Sequence, residues 1–189
     1  MGDGHDDLAA RAKAGDRGAL NALLERHLNT VYRYVSVKVG ADHPDLDDIV
    51  QDTLIGAAGS IRGMRGTTNP QVAGWLLSIA RHKVADHLRA RYRHPQESLG
   101  REEGEMLADH AQPVDELVVN RDRAERLRKA LHELTAEQEE VLILRFLLGF
   151  GIAEVAEITG RPEGAVKSMQ HRALASLQQQ LGAEGESWN

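Results

Sequence analysis

Apolar residues recur along this chain at three- and four-residue steps, and no segment shows the strict alternation of a strand. Leu20, Leu23, Leu24, Leu28, Val31 and Val35 follow that rhythm and predict an amphipathic helix from Asp16 or Arg17 to about Val39, ended by Gly40. Asp45, after Pro44, is placed to cap a second helix with Leu46, Ile49, Val50, Leu54, Ala57, Ala58 and Ile61 on its inward face. Arg62 to Asn69 reads as a loop, from its glycines and paired threonines. Asn69 and Pro70 then open a third helix, with Val72, Leu76, Ile79, Ala80, Val84 and Leu88 as its core stripe, running to about Tyr92.

The rhythm resumes after an interruption. Arg121 to Leu134 predicts a charged helix with Leu127, Ala130, Leu131 and Leu134 inward, and Thr135 with Gln138 forms a capping box for a helix through Val141, Leu142, Leu144, Arg145 and Leu147. Ile152, Val155 and Ala156 then mark a short helix. Gly160 supplies a residue able to take positive φ, and Pro162 opens a further helix whose buried stripe is Val166, Met169, Ala173 and Leu177. This is helix-turn-helix spacing, with the small Ala156 at the crossing. The fold class expected is all-α: two small helical domains, residues 1–93 and 121–189, joined by a flexible acidic linker over 94–120.

The linker boundary comes from composition. Pro95, Gly100, Gly104 and Pro113 interrupt His94 to Asn120, where seven acids face one arginine. Residues 62–93 show the reverse, seven basic side chains against Asp86 alone. A basic block inside a chain of net charge −6 points to a localised polyanion footprint rather than general attraction. The absence of cysteine excludes disulfides and thiolate metal sites. No apolar run approaches a membrane span and the N-terminus lacks a signal-peptide core, so a cytoplasmic protein without membrane insertion is expected.

Three outward rows carry the candidate chemistry. Asp48, Gln51, Asp52 and Ile55 combine carboxylates, an amide and an exposed aliphatic, suited to docking on a partner's arginines around an apolar contact; taken alone, such a row also reads as a solvated face. Trp75, Ser78, His82, Asp86 and Arg89 share a face of the third helix, after a loop presenting Arg62 and Arg65, and such a mixture can hold a backbone and receive an unstacked base. Trp75 reads equally as a core residue. On the last helix Gly164, Lys167, Ser168 and His171, with Arg172 at the edge, face away from the buried stripe and can reach a DNA groove.

With these pieces placed, the chain resembles the extracytoplasmic-function (ECF) sigma factors of bacterial RNA polymerase, from about Ala14 to Leu181. The segments that carry the resemblance are AGDRGALNALLERHLNTVYRYV, DLDDIVQDTLI, GWLLSIARHKVADHLRARYR and LTAEQEEVLILRFLLGFGIAEVAEITGRPEGAVKSMQHRAL, in that order. The resemblance implies a non-enzymatic subunit that binds core polymerase, recognises −10 and −35 promoter elements and helps open the DNA. It implies docking of Asp48, Gln51, Asp52 and Ile55 on the largest-subunit coiled coil, with the polymerase flap as a further contact. It assigns Arg62, Arg65, Trp75, His82, Asp86 and Arg89 to the −10 element, and Lys167, Ser168, His171 and Arg172 to the −35 element. An anti-sigma factor is implied as a partner.

Several positions depart from the family pattern. Gln71, Val72 and Ala73 stand where an aromatic is common, His82 where Asn is frequent, and Met169 and Gln170 where Arg and Leu are common. The alternative function is a helix-turn-helix regulator that binds an operator as a dimer without joining polymerase; it has no use for the basic block beside the Asp48 row. No catalytic residue, metal site or cofactor is expected. The nine histidines are dispersed, and His82 and His87, five apart, lack the four-residue spacing of zinc-binding pairs on a helix.

Overall fold

The computed structural model describes residues 3–93 and 114–185, with side chains placed for 7–90 and 123–181. Every regular element among them is helical: α1 (Asp3–Lys13), α2 (Arg17–Val39), α3 (Leu46–Ser60), a 3₁₀ turn (Ile61–Gly63), α4 (Asn69–Arg93), α5 (Val114–His132), α6 (Ala136–Leu142), a π turn (Ile143–Leu147), α7 (Ile152–Thr159) and α8 (Glu163–Gly185). Residues 94–113 of the expected linker lie outside the described residues. The part of it from Val114 onward is helical and continuous with α5.

The start of α2 follows from local chemistry. Asp16 accepts the Ala19 amide at 3.0 Å, and the same carboxylate holds Arg11 of α1 at 2.7 Å. The Ala19 amide and the Arg11 guanidinium both favour the ionised form and keep the Asp16 pKa below its ordinary value. Sequence reading passed over α1 itself, because only the small Ala9 and Ala12 bury against α2 and give no apolar stripe to detect. Gly40 ends α2 at φ 108°.

Helices α2, α3 and α4 form the first unit around Leu23, Val31, Val35, Ile49, Val50, Leu76 and Ala80. Three expectations need correction here. Ala58 is exposed, and Thr53 takes its place in the core by donating its hydroxyl to the Ile49 carbonyl at 2.8 Å. Leu88 is 41% exposed, and Ala73 and Leu77 are buried because α4 is covered on a second flank by α7. Met64, within the expected loop, is buried and anchors that loop to the core.

In the second unit Thr135 and Gln138 form the reciprocal capping box at the start of α6. The helix after it does not run regularly to Leu147: it widens into a π turn that buries Ile143 and Leu144 and leaves Phe146 56% exposed. Leu127 is exposed, and Ala130, Leu131 and Leu134 carry the contact of α5 with α6 and α8. Gly160 is left-handed at φ 67°, and its amide closes α7 on the Ala156 carbonyl. Pro162 sits just ahead of α8, its carbonyl accepting the Ala165 and Val166 amides. Val166, Met169, Ala173 and Leu177 are all buried.

The two units do not stand apart. Val141, Ile143, Leu144, Phe150 and Val155 share one hydrophobic cluster with the first unit, and α7 packs along α4. A Cβ on Gly74 would lie 3.3 Å from the Ile158 Cα, so glycine at that position permits the close approach.

Candidate functional site

Asp48, Gln51, Asp52 and Ile55 all lie on the exposed face of α3, and Ile55 is 61% exposed. Their spacing of three, four and seven positions puts them on one helix flank, opposite Ile49, Val50, Thr53 and Ala57 in the core. Asp52 is 3.9 Å from Lys83 of α4, at the side of the row. Asp45 stands at the N-cap of α3 but makes no capping bond; its carboxylate lies 3.4 Å from His87 instead.

The face of α4 divides into covered and open parts. Trp75 is half-buried and packs against the core. His82, Asp86 and Arg89 are exposed, as are Arg62 and Arg65 in the preceding segment. His82 Nδ1 lies 2.7 Å from the Ser78 carbonyl, and since a carbonyl can only accept, the ring donates from Nδ1. Asp86 holds Arg89 at 3.1 Å. Gln71, at one of the departures from the family pattern, accepts the Thr67 and Thr68 amides at 2.9 and 3.2 Å and fastens the loop to α4, while Val72 and Ala73 are buried.

On α8, Lys167, Ser168, His171 and Arg172 are exposed on the face opposite the buried stripe. Lys167 is 3.8 Å from Glu163, and Arg172 Nε donates to the Ser168 carbonyl at 3.4 Å. Gln170 turns partly inward, accepting from Arg145 Nε at 3.1 Å, and Arg145 also donates to the Phe150 carbonyl. One arginine thus ties the π turn and the segment leading into α7 to α8.

Sequence reading missed the residues that join the units. Glu140 of α6 is buried and accepts from Tyr34 at 3.0 Å and from Arg81 of α4 at 2.6 Å. Its neighbour Glu139 accepts from Lys38 of α2 at 2.6 Å and lies 3.1 Å from His132. Burial alone would raise the Glu139 pKa, but His132 and Lys38 outweigh it and hold the carboxyl below its ordinary value. Burial, reinforced by the Glu140 charge, pushes the Tyr34 hydroxyl up, so it stays a donor. For Arg81, the carboxylate of Glu140 and the Tyr34 contact overcome the effect of burial and raise the guanidinium further. Thr68 in the loop donates to Glu157 of α7 at 3.1 Å. A cavity of about 270 Å³ lies along this junction, with Gly74, Ser78, Arg81, Glu140, Ile158 and Arg161 among its walls.

Residues 23–94 match the family model for sigma-70 region 2, and residues 124–177 match that for sigma-70 region 4. Region 2 covers α2 to α4 with the Asp48 and Trp75 rows, region 4 covers the helix-turn-helix, and together they define the class: a sigma factor of the sigma-70 type. The chain is 35% identical to the ECF RNA polymerase sigma factor SigD of Mycobacterium tuberculosis over 192 residues, 98% of this chain and 88% of that one. It is 30% identical to ECF sigma factor SigX of Bacillus subtilis over 161 residues, 84% and 81% of the two chains. With ECF sigma factor BldN of Streptomyces coelicolor it shares 35% over 175 residues, 90% of this chain but 63% of that longer protein. The chain belongs to the ECF sigma factors, a family whose members are not enzymes.

Among solved structures, the sigma factor RpoE in complex with the anti-sigma factor NepR from Bartonella quintana is similar at 27% identity and a TM-score of 0.56, over 86% of this chain and 96% of that one. CnrH in complex with the cytosolic domain of CnrY shares the fold at a TM-score of 0.64 and 24% identity, covering 96% and 99%. No helix among the described residues is long and apolar enough to cross a membrane.

Proposed function

We propose that this sigma factor acts in the cytoplasm by joining core RNA polymerase through Asp48, Gln51, Asp52 and Ile55. The observation that carries this reading is the α3 row: an aliphatic side chain 61% exposed, flanked by two carboxylates and an amide, on a helix whose other face is fully committed to the core. Acids around an apolar centre suit a cationic coiled-coil surface, where charge steers the encounter and the aliphatic gives buried area.

Promoter contact falls to the other two rows. Lys167, Ser168, His171 and Arg172 stand exposed on the second helix of a helix-turn-helix, where they can enter the major groove of the −35 element. Arg62, Arg65 and Arg89 supply cations for the −10 backbone. Trp75 offers a half-buried indole for stacking, and the exposed His82 ring, held through Nδ1 by the Ser78 carbonyl, can hydrogen-bond a base edge from Nε2. Asp86 holds Arg89 in place. Ser78, Arg81 and Thr68 lie against α6 and α7 in the clasped arrangement, so parting of the two units would enlarge the open face of α4 and its preceding loop. A protein that covers both units, as an anti-sigma factor would, acts on the same equilibrium. Run-off transcription with purified chain and sigma-free core polymerase on a library of genomic fragments tests the reading; enriched start sites are expected, and none above core polymerase alone would refute it.

A further inference from the structure

The corner where the α2–α3 connection meets α4 gathers three side chains that the promoter reading leaves without a role. His43 and Asp45 stand in the connection and His87 on α4, all half-buried, and one ligand atom from each lies within 4.8 Å of the other two. The His43 and His87 rings meet edge to face with centroids 5.2 Å apart. His87 Nε2 is buried and makes no hydrogen bond, although Asp45 Oδ2 is 3.4 Å away. Asp45, at a position where its carboxylate would ordinarily cap α3, is turned into this corner instead.

Asp45 and His87 approach as an ion pair, and the His43 ring is held beside them by the Asp45 amide and by its edge contact with His87, so all three ligand groups converge on one point. Two imidazoles and a carboxylate converging from two elements are better matched to a cation that accepts nitrogen and oxygen ligands together. We propose that His43, Asp45 and His87 bind a single divalent ion of the zinc class.

The ligand set selects the metal. Magnesium and calcium take oxygen ligands almost alone and cuprous copper prefers sulfur, whereas two histidines with one carboxylate suit Zn²⁺, Co²⁺ or Ni²⁺. Ligand bonds of about 2 Å put tetrahedral donor atoms about 3.3 Å apart, so loading draws the three groups inward by up to roughly 1.5 Å. His43 Nδ1 now accepts the Asp45 amide at 3.2 Å. Binding through Nδ1 exchanges that long hydrogen bond for a metal bond, and binding through Nε2 displaces the ring proton instead. Three protein ligands leave a position for water. The ion would staple the α2–α3 connection to α4 and fix the first turn of α3, whether or not that helix meets polymerase.

The test uses the full chain, stripped with chelator and titrated with Co²⁺ and then Zn²⁺. The expected result is one equivalent of cobalt with visible absorption of a low-coordinate site, displaced by zinc, and a higher melting temperature with zinc bound. His43→Gln and His87→Gln should each weaken zinc binding by at least about tenfold, while His82→Gln, outside the corner, leaves zinc affinity unchanged. Circular dichroism checks that each variant is folded, and should His87→Gln fail to fold, Asp45→Asn and His43→Gln decide. No saturable binding at about 100 μM zinc, or equal affinity in wild type and the folded corner variants, would overturn the proposal.

Discussion

Tyr34 of α2 donates its hydroxyl to Glu140 of α6 at 3.0 Å across 106 positions of sequence, and Arg81 of α4 holds the other oxygen of the same carboxylate at 2.6 Å. The first unit therefore supplies both partners of one buried charge in the second. Tyr34→Phe removes one of the two bonds and should lower stability by about 1–2 kcal/mol, read as a shifted urea midpoint with unchanged slope. Glu140→Ala should cost more, because it strands a buried tyrosine hydroxyl and takes the carboxylate from the Arg81 guanidinium at the same time.

The neighbouring carboxylate makes the clasp sensitive to acid. Glu139 is packed against Lys38 and His132, and its folded pKa lies below the unfolded value. Its contribution is therefore fully present above the unfolded pKa of about 4.3 and is lost as pH falls through the folded value. The stability difference between wild type and Glu139→Gln should be fully present near pH 5 and shrink as pH falls below about 4. A difference that stays flat across that range would remove Glu139 from the account.

Gly74 tests the close approach of α4 and α7 without touching the core of either unit. A valine there would meet the Ile158 backbone, which cannot rotate out of the way. Gly74→Val should separate the units at a cost of roughly 1–3 kcal/mol while keeping helix content. Small-angle scattering checks it: the radius of gyration should rise. An unchanged radius would mean that the junction absorbs the side chain.

Much of this architecture is legible in residue order, and what is not has a physical reason. Gly160 with the Val166, Met169, Ala173 and Leu177 stripe marks the helix-turn-helix because helix packing writes its period directly into sequence, and the Thr135 capping box is equally local, whereas Asp45 fails as a cap because its carboxylate turns to His87 of a distant helix. The Leu88 and Leu127 assignments fail because periodicity marks a face but not how far along the helix neighbouring elements cover it, and both leucines are exposed. Glu139 and Glu140 look like surface acids on a charged helix; only the folded chain brings Lys38, Arg81 and Tyr34 to them. His43 and His87 escape for the same reason, since helix spacing within α4 compares His87 with His82 and never with the α2–α3 connection. The exposed rows were located correctly as surfaces, but periodicity does not say what meets them.

The recognition helix yields a prediction that separates two kinds of contact. Lys167→Ala and Arg172→Ala should each weaken promoter binding, by about 1–3 kcal/mol where the side chain reads a base edge. Competition binding against random duplex checks it. A loss confined to specific DNA identifies base readout, and an equal loss on all sequences identifies a phosphate contact.

The most direct test of the account is the affinity of the purified full chain for sigma-free core polymerase, compared with its Asp48→Arg and Asp52→Arg variants. Both positions are exposed on α3, so the fold should survive reversal of charge. The account predicts tight association of the wild type and a loss of at least about tenfold in each variant, as cation is set against cation. Wild type that fails to associate, or variants that bind as well as wild type, would contradict it.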